Sequence, residues 1–495
     1  MIRLSGSDAF AIADRAWKGG SLCDAKTHTA HLGVITAADG SALDQAVATV
    51  FRGPNSFTGE DTVEFSVHGS KWIQRNVVER LVELGAEPAA PGEFTQRAYM
   101  NRRMDLAQAE AVADLIASSS RAAHRLALNQ MRGGFSRQLE SLRENLVDLA
   151  SLLELELDFS EEEVEFADRS RLLEITETTL GLIERLASTY RAGRAFKEGV
   201  PVAIAGRPNA GKSTLLNRLL GEDKAIVSDI PGTTRDVIED TREIGGILFR
   251  FYDTAGLRDT SDTIEKIGID RAHNAIDHAA IVLWLVSPSD ISDNPDTFEE
   301  LSAEIAARPE ARHIILLTKS DLAADTPLDE YKEKLMAGLI NNRNKTERED
   351  RTNAIGERNE NEESETADRA NNETDRKEEA SIDCKKHSGI QIITISAKTG
   401  EGIDRLESLL VAAAKTEHDP DAELIITNAR HHAELQNGAV ALRRVRDALQ
   451  EGSQLPPDLI AQDVREALHH LGLLTGAVTT DTLLTTIFSR FCIGK

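Results

Sequence analysis

The pattern of apolar and polar positions divides the chain into stretches of different periodicity. Near the start, short runs with strand-like alternation, such as Ile2-Arg3-Leu4-Ser5 and Val63-Glu64-Phe65-Ser66-Val67, are separated by turn-forming clusters such as Gly53-Pro54-Asn55-Ser56. From Leu106 onward the apolar residues instead recur with the period of an amphipathic helix. The pattern therefore predicts a small α+β domain followed by helices.

The helical pattern lies on both sides of a middle segment of different character. In that segment, mostly apolar, strand-like runs at residues 202–205, 249–252, 314–317 and 392–395 each lead into a polar cluster, which is typical of buried parallel strands in an α/β domain. The helical stripes are formed by Leu106, Ala109, Ala113, Ile116, Leu142, Leu146, Leu149, Leu153, Leu172, Ile175, Leu182 and Leu186 before it, and by Leu435, Leu442, Val445, Leu449, Val464, Leu468 and Leu471 after it. We therefore predict an α/β domain inserted into an α-helical domain, with two unrelated helical pieces as the alternative.

The first polar cluster of the middle segment is a phosphate-binding loop. The run Gly206-Arg207-Pro208-Asn209-Ala210-Gly211-Lys212-Ser213 follows an apolar strand and precedes a helix that carries leucines at helical spacing. Its glycines let backbone N–H groups close around phosphate oxygens, the lysine reaches the β and γ phosphates, and the serine hydroxyl binds Mg²⁺. The candidate nucleotide-binding residues here are Asn209, Ala210, Gly211, Lys212, Ser213 and Thr214.

Two further segments carry features of a nucleoside triphosphatase. The strand at residues 249–252 ends in Asp253, placed to hold Mg²⁺ through water, and Gly256 has an N–H that can sense the γ-phosphate. Gly232-Thr233-Thr234-Arg235-Asp236 resembles a switch I segment, in which Thr234 closes on Mg²⁺. The candidate nucleotide-binding residues of these segments are Ser228, Asp229, Ile230, Pro231, Gly232, Thr233, Thr234, Asp253, Thr254, Ala255 and Gly256.

The last two strands predict that the nucleotide is GTP. Thr318-Lys319-Ser320-Asp321 follows one of them, and a carboxylate there accepts hydrogen bonds from the ring N–H and 2-amino group of guanine. Ser396-Ala397-Lys398 follows the other and is the expected last base-contacting loop. Thr318 stands where asparagine is usual, which predicts fewer hydrogen bonds from this loop to the phosphate-binding loop.

The residue after Asp253-Thr254-Ala255-Gly256 changes the expected chemistry of hydrolysis. It is Leu257, whereas small Ras-type GTPases carry a glutamine there that orients the attacking water. Leucine has no polar atom for this purpose. Another residue must orient the water, and another cation must meet the charge of the transition state.

Composition limits the remaining function classes. The chain has 495 residues and a formal net charge of -26, which argues against broad nucleic-acid binding and leaves only local RNA contacts or contacts shared with a basic partner. No apolar run approaches the roughly 20 residues of a membrane span, and no signal peptide is recognisable, so no membrane association is expected. Cys23, Cys384 and Cys492 are too widely spaced for a disulfide framework or a zinc site, and the cytoplasm is the expected compartment.

Domain bounds follow from these patterns. We predict an N-terminal α+β domain at 1–101, a discontinuous helical domain at 102–199 and 418–495, and a GTPase domain at 200–417. Within the last, residues 341–389 are almost free of apolar side chains and are predicted to be a disordered insertion, because they bury too little surface to offset the entropy of ordering. A tolerated surface insertion is the simpler interpretation of this segment, and a regulatory interaction segment is the alternative.

Several outer motifs resemble one family over nearly the whole chain. They are Gly53-Pro54-Asn55-Ser56-Phe57-Thr58-Gly59-Glu60-Asp61, Pro91-Gly92-Glu93-Phe94-Thr95, Asp105-Leu106-Ala107-Gln108-Ala109-Glu110-Ala111 and Phe491-Cys492-Ile493-Gly494-Lys495. Together with the Asn209 form of the phosphate-binding loop, they resemble the MnmE (TrmE) family of tRNA modification GTPases. Members have a folate-binding domain, a helical domain and an inserted GTPase domain. The family normally has a strand and a glycine-rich loop before the position that Met1 matches, so an N-terminally shortened domain is expected here.

The resemblance implies a reaction, cofactors and a partner. Family members act with the FAD-dependent protein MnmG (GidA) to build an aminomethyl or carboxymethylaminomethyl group on carbon 5 of the tRNA wobble uridine, and a homodimer is expected. By resemblance, Glu265 orients the attacking water, and a K⁺ ion supplies the missing positive charge. Its ligands would be Asn209, Ser228, Ile230 and Thr233, and a tetrahydrofolate derivative would be bound by Arg3, Glu64, Arg103 and Lys495.

One rival function belongs to a different class. A GTP-dependent switch that assists RNA or ribosome assembly would need the same nucleotide-binding loops but no modification chemistry. An appended basic RNA-binding domain would favour it, and the sequence has no domain of that kind.

Overall fold

The computed structural model describes residues 1–158, 169–221, 240–253, 275–288, 290, 297–322, 332–333, 390–415, 424–450, 456–489 and 491. The chain divides into two compact units. Unit 1 comprises Met1–Gly193 and Pro420–Lys495, and unit 2 comprises Arg194–Asp419. The predicted insertion at 341–389 lies outside the described residues.

The N-terminal part of unit 1 is an α+β structure around an antiparallel sheet. Its strands are β1 (Ile2–Ser5), β2 (Trp17–Lys18), β3 (Thr29–Thr36), β4 (Ala42–Phe51) and β5 (Thr62–Ser66), in the order β1-β5-β4-β3-β2. Its helices are α1 (Ala9–Ala16), α2 (Lys71–Glu83) and α3 (Glu93–Met100). On β4, Ala46, Ala48 and Val50 alternate with less buried residues, so one sheet face forms the core with Phe65 of β5.

The rest of unit 1 is helical and comes from two separate stretches of sequence. The first contains α4 (Leu106–Ala117), α5 (Arg121–Met131), α6 (Gly134–Asp158), α7 (Arg169–Ser188) and the start of α8 (Tyr190–Glu198). After unit 2 the helices are α12 (Ala429–Leu449), α13 (Pro457–Thr475) and α14 (Asp481–Phe488). The helices numbered between α8 and α12 belong to unit 2 and are given below. Leu142, Leu146 and Leu149 share one buried core with Leu435 and Leu442. The two stretches therefore form one domain, and the alternative of unrelated helical pieces is wrong.

Unit 2 is an α/β structure. Its strands are β6 (Val200–Gly206), β7 (Asp240–Ile244), β8 (Ile247–Asp253), β9 (Ile281–Val286), β10 (Arg312–Leu317) and β11 (Gln391–Thr394), in the order β11-β10-β9-β6-β8-β7. Only β7 is antiparallel to its neighbour. The described helices that follow α8 here are α9 (Lys212–Leu220), α10 (Thr297–Ala306) and α11 (Ile403–Lys415). Because the sheet is covered on both faces, its central strands are continuously apolar, and every residue of β9 is buried.

The predicted fold class is confirmed, with small differences in helix faces. The sequence pattern predicts Ile116 on the apolar stripe of α4, yet this residue is 39% exposed near the C-terminal end of that helix. Ile175 and Leu182 are half-buried, and the fully buried line of α7 includes Leu172 and Ile183. Within the described part of the chain, no helix combines the length and the apolar character that crossing a bilayer requires.

Candidate functional site

The phosphate-binding loop connects β6 to α9 through unusual backbone conformations. Gly206 has a φ of 152°, and a side chain there would lie 2.5 Å from the carbonyl oxygen of Leu285 on the adjacent strand β9. Asn209 has a φ of 64°, and it is one of the few described residues other than glycine with a left-handed backbone conformation. Asparagine tolerates this conformation better than most residues do. Gly211 then begins the helix with a φ of 101°. The sequence of glycine and asparagine positions is thus what this tight strand-to-helix turn requires.

Lys212 lies across this loop at the first position of α9. Its Nζ donates hydrogen bonds to the carbonyl oxygens of Gly206 at 2.6 Å and Arg207 at 2.9 Å. The residue is only 8% exposed, so the loop itself holds the ammonium group in place. Ser213 and Thr214 follow in the exposed first turn of the helix. The start of α9 therefore combines a fixed cation, hydroxyl groups and the positive end of a helix dipole, which suits a phosphate chain and Mg²⁺.

Thr318 links the phosphate-binding loop to the end of β10. Its Oγ1 donates to the carbonyl oxygen of Ala210 at 2.9 Å, and both residues are buried. Its backbone N–H donates to Val286 at the end of β9. Although threonine has fewer hydrogen-bonding atoms than the usual asparagine, its hydroxyl makes the connection between the two loops.

Asp321 and Ser396 meet where β10 and β11 end. Ser396 Oγ donates to Asp321 Oδ1 at 2.8 Å, with Ser396 fully buried and Asp321 exposed. Lys319 has a φ of 60°, which turns the chain directly after Thr318. No partner of Asp321 Oδ2 is present among the described residues, so this oxygen can accept hydrogen bonds from a ligand. Ala397 and the exposed Lys398 continue the second loop.

The candidate residues of unit 2 thus come together at one edge of the sheet, except those that the structure does not describe. Parallel strands deliver their following loops to the same edge, and this is where ligands bind in open α/β sheets. Asp253 ends β8, and in the parallel register it lies opposite Ile204 of β6, near the start of the phosphate-binding loop. The predicted residues outside the described part are Ser228, Asp229, Ile230, Pro231, Gly232, Thr233, Thr234, Thr254, Ala255, Gly256 and Glu265.

In unit 1, two of the predicted folate residues form an ion pair. Arg3 and Glu64 are opposite each other on β1 and β5, and Arg3 Nη2 lies 2.6 Å from Glu64 Oε1. The Arg3 guanidinium also lies over the rings of Phe57 and Phe94, at 5.1 and 5.5 Å from their centroids. Arg103 lines a cavity of about 380 Å³ together with Phe57. Lys495, the fourth predicted residue, lies outside the described residues.

Phe57 and Phe94 were not predicted as site residues. Their only sequence signal was that each is a single aromatic residue within a polar, glycine-containing motif. Phe57 contacts both the Arg3 cluster and the cavity beside Arg103, and therefore connects the predicted folate residues in space. An aromatic ring between two arginines is suited to stack on a flat heterocycle.

A buried charged cluster in the helical part of unit 1 was also not predicted. Glu110 Oε2 accepts hydrogen bonds from His431 Nε2 at 2.6 Å and from Arg430 Nη2 at 2.8 Å, and its Oε1 accepts from Arg430 Nε at 3.1 Å. Burial by itself would raise the pKa of Glu110, but the attraction and hydrogen bonds of His431 and Arg430 outweigh it and lower the pKa to about 2. The cluster joins α4 to α12, which are separated by more than 300 positions in sequence.

Comparison with known proteins covers the whole chain. Residues 1–103 match the family described as the GTP-binding protein TrmE N-terminus, and residues 106–492 match the MnmE helical domain. The chain is 43% identical to the tRNA modification GTPase MnmE of Bacteroides thetaiotaomicron, over 100% of this chain and 96% of that protein. It is 45% identical, with the same coverage of both chains, to the tRNA modification GTPases MnmE of Bacteroides fragilis and Parabacteroides distasonis. The chain therefore belongs to the MnmE (TrmE) family of tRNA modification GTPases.

Proposed function

We propose that this protein hydrolyses GTP to GDP and phosphate as part of the modification of the tRNA wobble uridine. The observation that carries the proposal is the meeting of the phosphate-binding loop with Thr318, Asp321 and Ser396 at one sheet edge, in a chain that matches the MnmE family over its full length. The product would be a 5-carboxymethylaminomethyl or 5-aminomethyl group on that uridine. An FAD-dependent partner, MnmG (GidA), would supply the redox chemistry, because none of the proposed site residues can do so.

Guanine specificity is assigned to Asp321. Its Oδ2, which none of the described residues contacts, and the lone pairs that remain on Oδ1 beside the Ser396 hydroxyl accept hydrogen bonds from N–H groups that guanine has and adenine lacks. Ser396 orients the carboxylate, and Thr318 keeps its loop against the phosphate-binding loop. Lys319, Ser320, Ala397 and Lys398 complete the proposed base-contacting loops.

Phosphate binding and hydrolysis are assigned to the other loops. Lys212 and the N–H groups of residues 209–214 would bind the phosphates, with Ser213 and Thr234 as Mg²⁺ ligands. Glu265 would orient the attacking water, since Leu257 has no polar atom to do so. Asn209, Ser228, Ile230 and Thr233 would bind K⁺. When bound, Mg²⁺ and K⁺ would neutralise charge that develops on the phosphate oxygens.

A one-carbon tetrahydrofolate derivative is proposed as a further cofactor. Its pterin ring carries N–H groups that can donate hydrogen bonds to a carboxylate such as Glu64, and its glutamate tail carries carboxylates that arginine binds well. The residues proposed to bind it are Arg3, Glu64, Arg103 and Lys495. The ion pair of Arg3 with Glu64 and the aromatic rings around Arg3 are consistent with this chemistry.

The organisation of the protein is part of the proposal. We assign the folate-binding-like domain to 1–101, the helical domain to 102–199 and 418–495, and the GTPase domain to 200–417. A homodimer in the cytoplasm is the proposed working form.

The cation dependence of hydrolysis tests the mechanism. GTP turnover is expected to be fast in K⁺ and slow in Na⁺, because the smaller ion fits the same oxygen ligands poorly. Glu265→Ala should reduce turnover by roughly 10² or more while GTP binding stays nearly intact. Equal rates in the two salts, or a fully active variant, would contradict the mechanism.

The tRNA reaction needs a separate measurement. Mass spectrometry of wobble nucleosides from cells that lack the protein should show loss of the modified uridine, and expression of the wild-type chain should restore it. Unchanged nucleosides, in cells where ribosome assembly is impaired, would instead support the assembly switch.

A further inference from the structure

An arginine-rich segment of unit 1 stands out in an otherwise acidic protein. The chain carries a formal net charge of -26, yet no aspartate or glutamate occurs between Asp114 and Glu140. This interval contains Arg121, Arg125, Arg132 and Arg137. A polyanion that is repelled by most of the surface would therefore meet less repulsion along this interval.

The arginines at the end of this segment border a cavity of about 300 Å³. Arg132 follows α5, and Arg137 lies in the first turn of α6, so the short connection between the two helices places both at the rim. Arg137 Nη1 donates to the carbonyl oxygen of Arg132 at 3.2 Å. For the guanidinium of Arg132 and the side-chain amide of Asn129, which also lines the cavity, the described residues provide no hydrogen-bond partner.

The inner wall of the cavity is apolar and aromatic. Phe135 and Ile426 line it, and the ring of Phe135 stacks on that of His431 with centroids 5.1 Å apart. His431 is 1% exposed, and its Nε2 is held by Glu110 at 2.6 Å. Among the described residues, Nδ1 of this ring has no hydrogen-bond partner.

These features fit one type of ligand chemistry. An unpaired nucleotide has a flat base, which suits an aromatic and apolar wall with a few polar groups, and a phosphate, which suits arginines at the rim. The cavity volume is at the small end of the roughly 300–1,000 Å³ range of small-molecule sites, as a single base requires.

We propose that this cavity holds an unpaired nucleotide of the tRNA, with its base in the mouth of the cavity beside the apolar wall and its phosphate on Arg132 and Arg137. The inference rests on the proposed function, because that function makes tRNA the substrate. It assigns a local RNA contact to a protein whose overall charge opposes RNA binding.

The salt dependence of tRNA binding tests the assignment in the full-length chain. The double variant Arg132→Gln/Arg137→Gln should weaken binding of unmodified tRNA about tenfold or more. It should also reduce the slope of log affinity against log salt concentration by about 1, as expected for the loss of contact to one phosphate. Arg132→Lys/Arg137→Lys should keep most of the slope, because the charges remain.

The control is a charge-matched pair outside the cavity. Arg143 on α6 and Arg171 on α7 form exposed ion pairs with Glu140 and Glu174, and Arg143→Gln/Arg171→Gln changes the net charge by the same amount. This pair should bind tRNA with nearly the wild-type salt slope. Equal losses in the two double variants would show a general effect of charge and overturn the proposal, as would unchanged binding in the cavity variant.

A second measurement does not depend on any substitution. Tryptic mapping after photo-crosslinking of the wild-type chain to 4-thiouridine-labelled tRNA should locate a crosslink within residues 129–137. Crosslinks only elsewhere would overturn the proposal, as would a cavity variant that loses binding of the flavoprotein partner but keeps tRNA binding. If the wild-type chain binds no tRNA, either alone or with that partner, the proposed function itself fails. GTP hydrolysis at the wild-type rate in the cavity variant would show that the substitutions cause no general defect in the protein.

Discussion

Glu110 of unit 1 and Asp321 of unit 2 are both carboxylates that are contacted by residues distant in sequence, but their oxygen atoms are used very differently. Glu110 is buried and accepts three hydrogen bonds from Arg430 and His431. Asp321 is exposed and accepts one, from Ser396. A carboxylate whose acceptor capacity is filled by its own chain stabilises the fold, whereas one that is positioned but only partly used is available to a ligand. The difference separates a structural acid from a binding acid, although both look alike in the sequence.

The largest expected effect comes from removing the charge of Glu110. Glu110→Gln leaves the half-buried Arg430 guanidinium and the buried His431 ring without the carboxylate that accepts their hydrogen bonds, which should lower the free energy of unfolding by about 3–5 kcal/mol. Chemical denaturation measures this directly. The GTP dissociation constant should be unchanged, because the contacts proposed for the nucleotide lie in unit 2.

A matched control and a pH series accompany this variant. Glu184→Gln removes the same charge from an exposed ion pair with Arg443, which joins α7 to α12, and should cost at most about 1 kcal/mol. Since the folded-state pKa of Glu110 is lowered to about 2, its stabilisation is fully present above its ordinary pKa and is lost as the pH falls toward the folded value. Wild type should therefore lose about 3 kcal/mol between about pH 5 and pH 2 that Glu110→Gln does not lose. Identical acid profiles would show that Glu110 is not a structural acid.

The opposite behaviour is expected from Asp321→Asn. Loss of the two charged hydrogen bonds to guanine should weaken GTP binding roughly 100-fold, which corresponds to about 3 kcal/mol. Xanthosine triphosphate should gain relative affinity, because its 2-oxo group accepts where guanine donates. Calorimetric titration with both nucleotides measures the change, and the unfolding free energy should stay near that of wild type. Equal GTP binding by the two proteins would remove Asp321 from the base site.

The smallest of these effects is expected at Thr318, which acts on the binding acid through its loop. Thr318→Ala removes the hydrogen bond to the Ala210 carbonyl and should cost about 1 kcal/mol, or several-fold in GTP affinity. Thr318→Ser keeps the hydroxyl and should bind nearly as wild type does. If both variants bind GTP equally well, the connection between the two loops does not contribute to affinity.

The sequence was most informative where a local motif must adopt one backbone conformation. The strand at Val202 and the helix that begins at Lys212 were predictable, because a phosphate-binding loop requires both and because the leucines of that helix keep helical spacing. The edge of the sheet where Thr318, Asp321 and Ser396 meet followed from the same reasoning, since parallel strands direct their following loops to one side.

Long-range pairs could not be predicted in this way. No feature of the α4 sequence indicates that Glu110 contacts Arg430 and His431 of α12. Likewise, Ile116 keeps the helical spacing of the apolar residues, but this spacing does not show that its side chain is exposed at the end of α4. In the N-terminal sheet, β3 was not identified from its own pattern. Its place depends on tertiary packing, in which the ring of Trp17 on β2 covers Gly33 of β3 and leaves no room for a side chain there.

Gly193 in α8 has a consequence for how the chain folds. A side chain at this position would collide with the carbonyl group of Ile426, so the last residue of unit 1 before the interruption lies against a residue that follows soon after unit 1 resumes at Pro420. If the intervening residues were an open coil, closing a loop of roughly 200 residues would cost about 5 kcal/mol in chain entropy. A folded unit 2 replaces most of this coil and so removes most of the cost. Formation of the inserted unit therefore favours assembly of the helices on either side of it, and the stability of one unit is linked to the other through chain connectivity alone.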